Sequence, residues 1–307
     1  MNPSTVARRD FGKIVPAEPD RNAARDQADG LRRISGFRRR AARVLAVTSG
    51  KGGVGKTNLS VNLGLALAAT GSRVVIVDLD LGLANADILF DIATRYNLAD
   101  VISGRRSLDE VLVQAAPGLR IVPGASGVER LANLGEAERQ ALVAGLDSLC
   151  ADADFVICDT GAGISRNTTS FLAAADEVLI VTTPEPTAVV DAYAVIKLIA
   201  LSGDHGDLGL VINMAENAEE ARRFSHGIAI TANKLLNAYV AELGFILRDP
   251  NVAQSVRKRR PVFLEHPHSP ASRGIRDLAS RIVAGAAPGA GGERVSFVRR
   301  LLGALGR

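Results

Sequence analysis

Short apolar runs alternate with longer stretches rich in alanine and leucine along most of the chain. A strand that is apolar on both faces is typical of a parallel sheet covered by helices on two sides. The longer stretches have the composition of helices that pack on such a sheet. The pattern therefore predicts an α/β fold with a doubly wound, mostly parallel sheet. The predicted strands include residues 44–47, 74–77, 155–158 and 178–183.

The same pattern divides the chain into three parts. Residues 1–43 form an N-terminal arm in which prolines stand among scattered charges, and residues 44–285 form one large domain. Residues 286–307 contain a glycine-rich linker followed by a short amphipathic stretch. A chain of 307 residues is long enough for this layout and requires no second domain.

Three stretches inside the domain have weaker patterns. Residues 97–134 predict a helix, a turn and a strand. Residues 218–240 have helical composition throughout, and residues 244–247 predict the strand that follows.

Composition narrows the class of protein. Cys150 and Cys158 are the only cysteines, so the chain has no disulfide framework. The N-terminus carries arginines and prolines where a signal peptide needs an apolar core, and no apolar run is long enough to cross a bilayer. These features predict a cytoplasmic protein.

Charge is distributed unevenly around a net value of +4. Residues 1–43 hold 11 Lys/Arg against 5 Asp/Glu, and residues 293–307 hold 4 Arg against one Glu. The middle of the chain is therefore acidic and both ends are basic. Such arms are either solvated tails or segments that bind an acidic partner or an anionic membrane surface.

A glycine-rich stretch stands between the first predicted strand and the first predicted helix. From Gly50 to Thr57 it fits the phosphate-binding pattern G-x-x-x-x-G-K-[ST]. Backbone N–H groups and the positive end of the helix dipole favour an anion there. Lys56 has the reach to contact the β- and γ-phosphates, and the Thr57 hydroxyl can ligate Mg²⁺. The predicted nucleotide-binding residues of this loop are Gly50, Lys51, Gly52, Gly53, Val54, Gly55, Lys56, Thr57 and Asn58.

A second lysine, Lys51, stands at the start of the loop, where phosphate binding alone does not require one. With it the string Gly-Lys-Gly-Gly-Val-Gly-Lys-Thr resembles the deviant Walker A motif of the MinD/ParA ATPases. In that family the early lysine reaches the phosphates of the partner subunit. The resemblance implies ATP and Mg²⁺ as cofactors, a homodimer formed with ATP, and catalytic roles for Lys51 and Lys56. A solvated loop lysine is the alternative.

Carboxylates follow two predicted strands at the sheet edge where α/β proteins bind ligands. Asp78 and Asp80 begin residues 78–87, which resemble switch I of the MinD group, D-x-D-x-G-L-x-N-x-D. The resemblance implies that Asp80 orients the attacking water and that Asp78 belongs to the magnesium shell, although both can also cap a helix. Asp159 begins the small-residue segment 159–165, the form expected of a Walker B aspartate and switch II. The predicted metal-site residues are Thr57, Asp78 and Asp159.

Asn213 follows the predicted strand at residues 208–212. In the MinD/ParA family an asparagine at this point contacts the adenine edge, and an amide suits that role because it donates and accepts at once. An asparagine that only stabilises a turn is an equal alternative.

A short amphipathic pattern lies within the N-terminal arm. A helix of this length is unstable alone, so we expect it to fold on a partner. Its letters match D-Q-A-x-x-L-R, a motif of the FlhG group of flagellar regulators within the MinD/ParA family. The resemblance implies that the helix docks on the signal-recognition-type GTPase FlhF and stimulates its GTP hydrolysis. The predicted partner-binding residues are Asp26, Gln27, Ala28, Leu31 and Arg32.

The function implied by this resemblance is an ATPase switch that regulates flagellar number or placement, with flagellar switch proteins and a flagellar transcription regulator as further candidate partners. The alternatives are a division-site MinD ATPase and a ParA-type DNA-partition ATPase. DNA binding is not favoured, because residues 257–260 form the single basic cluster of an acidic domain. A nitrogenase-iron-protein-type reductase would need paired cluster cysteines, which Cys150 and Cys158 do not supply.

The C-terminal stretch is amphipathic, with arginines beside its apolar positions. This pattern is typical of a helix that lies in a membrane interface. It predicts association with the inner face of the cytoplasmic membrane in the ATP dimer, where two tails act together. The alternative is a helix packed on the domain, and the two arrangements can be states of one switch. The predicted membrane residues are Val295, Phe297, Val298, Leu301, Leu302 and Leu305.

Overall fold

The computed structural model describes residues 41–80, 86–124, 135–163, 165–203, 205–285 and 296–305. All of them belong to a single unit that spans Arg40–Arg307. The predicted partner helix at residues 26–32, the middle of switch I at residues 81–85 and the membrane residue Val295 lie outside the described residues.

One sheet forms the centre of the unit. In the described ranges it contains strands β1 (Arg43–Thr48), β2 (Val74–Leu79), β3 (Val113–Ala116), β4 (Leu119–Val122), β5 (Phe155–Thr160), β6 (Glu177–Thr182), β7 (Asp207–Ala215) and β8 (Val240–Leu247). Their order across the sheet is β3-β4-β2-β5-β1-β6-β7-β8. All pairings are parallel except β3 with β4. The predicted doubly wound, mostly parallel α/β fold is confirmed.

Helices cover both faces of this sheet. They are α1 (Lys56–Ala69), α2 (Leu98–Ile102), α3 (Leu108–Val111), α4 (Glu136–Asp152), α5 (Arg166–Ala174), α6 (Pro186–Ser202), α7 (Ala218–Leu236), α8 (Pro250–Arg257), α9 (Val262–Glu265), α10 (Pro270–Gly285) and α11 (Phe297–Leu305). A short 3₁₀ helix at Ile88–Phe90 follows β2. None of the helices in the described part of the chain combines the length and apolar character needed to span a bilayer.

Two apolar cores lie on opposite faces of the sheet. Along β1, Val44 and Ala46 belong to one core, and Leu45 and Val47 belong to the other. Helices α2 to α7 and α11 contribute to the first core, whereas α1, α9 and α10 contribute to the second. Because both faces of the central strands are covered, these strands are apolar at successive positions.

Two predicted boundaries near the end of the sheet are wrong. The helix predicted over residues 218–240 ends at Leu236, because Asn237 takes the left-handed backbone conformation, with φ of 50°. Strand β8 then begins at Val240, four residues before the predicted start at Gly244. Helical composition alone does not show at which residue the backbone takes the left-handed conformation and ends the helix.

The stretch from residue 97 contains more elements than the predicted helix, turn and strand. Helix α2 begins with a capping box at Asn97, and helix α3 begins with another at Ser107. The hairpin β3–β4 follows and forms one edge of the sheet. Its first strand is short and half-exposed, so it lacks the continuous apolar run by which the central strands were predicted.

Helix α11 packs on the domain, mainly against α5. Phe297 and Val298 are buried, and Leu301 is fully buried in the first core, whereas Leu302 remains exposed. The structure thus has the second of the two arrangements considered for the C-terminal stretch. Membrane association by these residues remains a proposal that requires the helix to leave this position.

A polar contact fixes the same helix. The Arg300 guanidinium donates to the carbonyl oxygen of Ala174 at 2.8 Å and pairs with the Asp176 carboxylate at 2.6 Å. The other oxygen of Asp176 accepts the backbone N–H of Val44 at 2.8 Å. The carboxylate that holds the start of the first strand therefore also holds the C-terminal helix.

Candidate functional site

The predicted site residues lie at one edge of the sheet. Because β1, β2, β5, β6 and β7 are parallel, their carboxyl ends meet at the same edge. The phosphate-binding loop follows β1, and Asp80 follows β2. The switch II segment begins at Asp159, the second-last residue of β5. The residues Glu185 and Asn213 lie at the ends of β6 and β7.

The phosphate-binding loop has a backbone that requires glycine. Gly53 and Gly55 have φ of 81° and 87°, in the left-handed region. A Cβ atom at Gly50 would lie 2.2 Å from the carbonyl oxygen of Asp191 in α6, so only glycine allows this close approach. Helix α1 begins directly after Gly55 and directs its positive end towards the loop.

Lys56 is the first residue of α1 and is almost fully buried. Burial lowers the pKa of its ammonium group, while the nearby carboxylates of Asp159 and Asp80 raise it. A buried ammonium group at the N-terminus of a helix is a strong binding partner for a phosphate group, because the attraction between opposite charges is stronger away from water.

Asp159 is the fully buried carboxylate of the site. Burial raises its pKa to about 6, against the opposing effect of the nearby hydroxyls of Thr57 and Ser60 and of the charge of Lys56. Ser60 donates to Oδ1 at 2.9 Å, whereas Oδ2 has no hydrogen-bond partner among the described residues. A buried carboxylate oxygen left without a donor suits Mg²⁺ or a water bound to it, so these residues fit a magnesium ion.

Asp78 lies beside Asp159 in the pairing of β2 with β5. Its two carboxylate oxygens accept the backbone N–H groups of Asp80 and Ala86, each at 3.1 Å. Asp78 therefore holds the described residues on both sides of the switch I loop. These contacts indicate an anchor for the loop, and the role of Asp78 in the magnesium shell remains a prediction.

Asp80 reaches towards switch II. A Cβ atom at Gly161 would lie 3.4 Å from Oδ1 of Asp80, so the carboxylate rests against this glycine. Gly163, further along switch II, has φ of 89° and donates its N–H to the carbonyl oxygen of Ser49 at 2.9 Å. Switch I, switch II and the start of the phosphate-binding loop are thus in direct contact.

Lys51 makes its contacts within its own chain. Its Nζ lies 3.3 Å from the Glu185 carboxylate and 3.3 Å from the Thr187 hydroxyl, and all three side chains are exposed. The position at the rim of the site is compatible with a contact to a second subunit. That contact would replace the pair with Glu185.

Asn213 contacts the phosphate-binding loop. Its Nδ2 donates to the carbonyl oxygen of Val54 at 2.8 Å, and its Oδ1 accepts the N–H of Met214, whose φ of 57° is unusual for a residue other than glycine. An amide has two N–H groups and an oxygen with two lone pairs, so one donor and one acceptor site remain for an adenine edge. The turn-stabilising role is observed, and the adenine contact remains a prediction.

Asn58 uses its polar groups inside α1. Its backbone carbonyl and Oδ1 both accept from the amide of Asn62, at 2.7 and 3.2 Å. Asn62 in turn accepts the N–H of Phe263 at 2.9 Å, which ties α1 to α9. A direct nucleotide contact by the side chain of Asn58 has no support in these contacts.

The basic cluster at residues 257–260 is partly paired with carboxylates. Lys258 and Arg260 both pair with Glu265, and Arg259 pairs with Asp91. Three of its four cations are thus engaged by two carboxylates, which reduces the positive charge available to a phosphate backbone.

The two cysteines offer no cluster site. Both are free and buried, and burial raises the pKa of the Cys150 thiol to about 12 and the pKa of the Cys158 thiol still further. Protonated, buried thiols are inert as metal ligands and as nucleophiles.

Sequence reasoning missed two residues of the site. Ser60 lies one helical turn after Lys56, so helical spacing places its hydroxyl on the same side of α1. Glu185 follows β6 at the ligand-binding edge, where strand-end polar residues are candidates. The helical spacing of Ser60 and the strand-end position of Glu185 can both be recognised in the sequence. Neither indicates which side chain these residues contact.

The fold and the site together define a P-loop nucleotide hydrolase with two switch segments. A family model described as an AAA domain matches residues 42–206. The antiactivator FleN of Pseudomonas aeruginosa is 42% identical over 241 residues, which cover 78% of this chain and 85% of FleN. The flagellum site-determining protein YlxH of Helicobacter pylori is 36% identical over 268 residues, 85% of this chain and 90% of YlxH.

The fold also has close structural relatives. MinD of Pyrococcus horikoshii, solved as a complex with Mg-ADP, superposes with a TM-score of 0.65 at 25% identity and covers 80% of this chain and 98% of its own. The chain therefore belongs to the MinD/ParA family of ATPases and is a homologue of FleN and YlxH.

Proposed function

We propose that this ATPase is a switch that regulates the number or placement of flagella. Of the two relatives described above, YlxH is named a flagellum site-determining protein and FleN is named an antiactivator. Both alignments cover more than three quarters of this chain. The switch has an ADP-bound monomer and an ATP-bound dimer as its two states.

The site residues divide the work of ATP hydrolysis among them. Lys56 and the loop N–H groups bind the β- and γ-phosphates, and Asp80 orients the attacking water. Thr57 and Asp159 hold Mg²⁺, which offsets negative charge on the phosphates when it is bound. Lys51 exchanges Glu185 for the phosphates of the partner subunit, so that ATP is enclosed only in the dimer.

The packing of α11 on α5 is the observation that carries the switch. Helix α5 begins at Arg166, directly after the switch II segment, and Ser165 caps it by accepting the N–H of Thr168 at 3.3 Å. A γ-phosphate that repositions Gly161 and Gly163 therefore acts on the helix against which α11 packs. Dimer formation with ATP releases α11 to the inner face of the cytoplasmic membrane.

The energies of the two positions of α11 are comparable. Burial of Phe297, Val298 and Leu301 in the core stabilises the docked helix by several kcal/mol, at about 1.5–3 kcal/mol for each side chain. Insertion into a bilayer recovers a similar apolar gain, and each arginine near anionic lipid adds roughly 1 kcal/mol. One tail binds only marginally, whereas two tails on a dimer bind with high effective concentration.

The Arg300–Asp176 pair favours the docked position. Both side chains are largely shielded from solvent, and the guanidinium also satisfies the carbonyl of Ala174. A charge-assisted contact of this kind is stronger than an exposed ion pair. It provides a way to change docking without altering the apolar residues of the tail.

Sedimentation with liposomes that contain phosphatidylglycerol tests the membrane switch. The wild type should bind with ATP and remain in solution with ADP. Truncation after residue 292 should abolish binding in both nucleotides, and Leu301→Glu should do the same because a charge cannot enter the interface. Equal binding with both nucleotides, or binding by the truncated chain, would remove the tail from the mechanism.

Asp176→Asn is the matched variant for the docked state. It weakens the contact with Arg300 while its amide oxygen still accepts the N–H of Val44. We expect more liposome binding with ADP and unchanged binding with ATP. A loss of binding in ATP would indicate that Asp176 supports the fold rather than the docked helix, and a thermal melt identifies that case.

The N-terminal arm extends the proposal to a second protein. The motif at residues 26–32 supports binding to FlhF and stimulation of its GTP hydrolysis, as the resemblance to the FlhG group implies. We propose that the ATP dimer is the form that binds the further candidate partners, which are cytoplasmic flagellar switch proteins and a flagellar transcription regulator.

A further inference from the structure

A groove runs beside β8, the strand at one edge of the sheet. It lies between α7 and α10, and its larger cavity has a volume of about 440 Å³. An adjoining cavity of about 190 Å³ shares several of its residues and extends the groove along α7. We name this surface the β8 groove and define it by Arg222, Gly244, Phe245, Leu247, Arg273 and Arg281.

The floor of the β8 groove is apolar and tightly built. Phe245 and Leu247 are half-buried. A Cβ atom at Gly274 would lie 2.8 Å from the carbonyl oxygen of Phe245, so α10 rests directly on the strand. The groove therefore has a fixed shape, as a preformed binding site requires.

Arginines stand on both walls of the groove. Arg222 is on α7, and Arg273 and Arg281 are on α10. Arg281 donates to the carbonyl oxygen of Leu243 and so is already engaged with the strand. Within the described part of the chain, Arg222 and Arg273 have neither an ion pair nor a hydrogen bond from their guanidinium groups.

Exposed arginines of the described residues fall into two groups, those that pair with a carboxylate and those that, like Arg222 and Arg273, do not. Arg73, Arg106 and Arg248 are also exposed to solvent to a large extent, and each pairs with a carboxylate. In the larger cavity Asp277 is the one carboxylate among three guanidinium groups. The groove thus has a net positive charge over an apolar floor, in a domain that is acidic as a whole.

We infer that the β8 groove binds an acidic peptide segment of a partner protein, with aliphatic side chains on Phe245 and Leu247 and carboxylates paired with Arg222 and Arg273. Guanidinium groups bind carboxylates through two parallel hydrogen bonds, which gives direction as well as affinity. The concave shape favours a peptide over a flat anionic lipid surface. None of the residues that line the groove belongs to the phosphate-binding loop, to the switch segments or to α11.

A synthetic peptide tests this inference with the full-length protein. The probe is a short fluorescein-labelled peptide in which glutamate alternates with leucine, and fluorescence anisotropy measures its binding. We expect saturable binding that weakens as salt is added. A peptide of the same length in which lysine replaces glutamate should not bind, and equal binding of the two peptides would overturn the inference.

Charge reversal locates the binding site. Arg222→Glu and Arg273→Glu should each weaken binding by about tenfold or more, because each removes a charge-assisted contact. Arg257→Glu makes the same charge change at an exposed position outside the groove and should leave the affinity unchanged. Equal effects of all three substitutions would show attraction by net charge alone and overturn the inference.

Two further measurements complete the test. Thermal melts of the variants should match that of the wild type, because both arginines are exposed; Arg222→Gln and Arg273→Gln replace any variant that melts early. Vesicles of phosphatidylglycerol test the lipid alternative. Vesicle binding that depends on Arg222 and Arg273, together with no peptide binding, would assign the groove to a membrane and overturn the inference.

Discussion

Lys51 and Glu185 form an ion pair within one chain, with Nζ 3.3 Å from the carboxylate. The two residues lie 134 positions apart, at the ends of the neighbouring strands β1 and β6. A lysine that serves a second subunit must first leave this partner. The monomer and the dimer therefore compete for the same ammonium group.

Glu185→Gln should shift this competition towards the dimer. The pair is exposed on both sides and contributes at most about 1 kcal/mol, so the dissociation constant of the ATP dimer should fall by no more than about fivefold. Sedimentation equilibrium with a non-hydrolysable ATP analogue measures it. Lys51→Ala should remain monomeric under the same conditions. A weaker dimer in Glu185→Gln would show that Glu185 acts across the interface instead.

Asp80→Ala should trap the ATP dimer. The variant keeps the phosphate-binding loop but loses the carboxylate that orients water, so hydrolysis should slow by roughly 100- to 10,000-fold. Phosphate release measures the rate, and light scattering measures the mass. The prediction fails if hydrolysis is slow while the chain stays monomeric with ATP, because Asp80 would then be needed for ATP binding or for dimer formation.

Ser60→Ala should destabilise the nucleotide-free protein. The substitution removes a buried hydrogen bond to Asp159 and leaves the carboxylate less satisfied, which costs about 1–3 kcal/mol in the free energy of unfolding. Urea denaturation without nucleotide measures the loss. Ser280→Ala removes an exposed hydroxyl that bonds within α10 and is the control. Equal losses in the two variants would mean that the buried hydrogen bond contributes no more to the free energy of unfolding than the exposed one.

Gln27→Ala should affect another protein's GTPase and leave this fold unchanged. Gln27 is not one of the residues 40–307 that form the unit with the ATPase site, so thermal stability and ATP hydrolysis should match those of the wild type. Stimulation of GTP hydrolysis by FlhF should be lost. Gly30→Ala is the matched control, because position 30 is unspecified in the motif and alanine favours a helix by roughly 1 kcal/mol. If a peptide of residues 20–36 fails to stimulate FlhF, the role assigned to the arm is wrong.

Local sequence patterns were sufficient to predict the fold class and to identify the motifs of the phosphate-binding loop and the switch segments. Continuous apolar strands such as β2 require cover on both faces, and this requirement is visible in any single strand. The backbone of the phosphate-binding loop was equally readable, because Gly53 and Gly55 occupy conformations that other residues disfavour. The parallel order then placed Asp78 and Asp159 side by side.

Tertiary structure decided which surfaces meet. The apolar face of α11 satisfies the requirements of a membrane interface and of a core equally well, and only its packing on α5 and the Asp176 carboxylate select the core. In the same way, the position of Asp78 in the sequence identified it as a site residue. Its hydrogen bonds to the backbone N–H groups of Asp80 and Ala86 depend on the tertiary structure. Periodicity records the polarity of a surface, whereas its partner depends on contacts between residues that are distant in the chain.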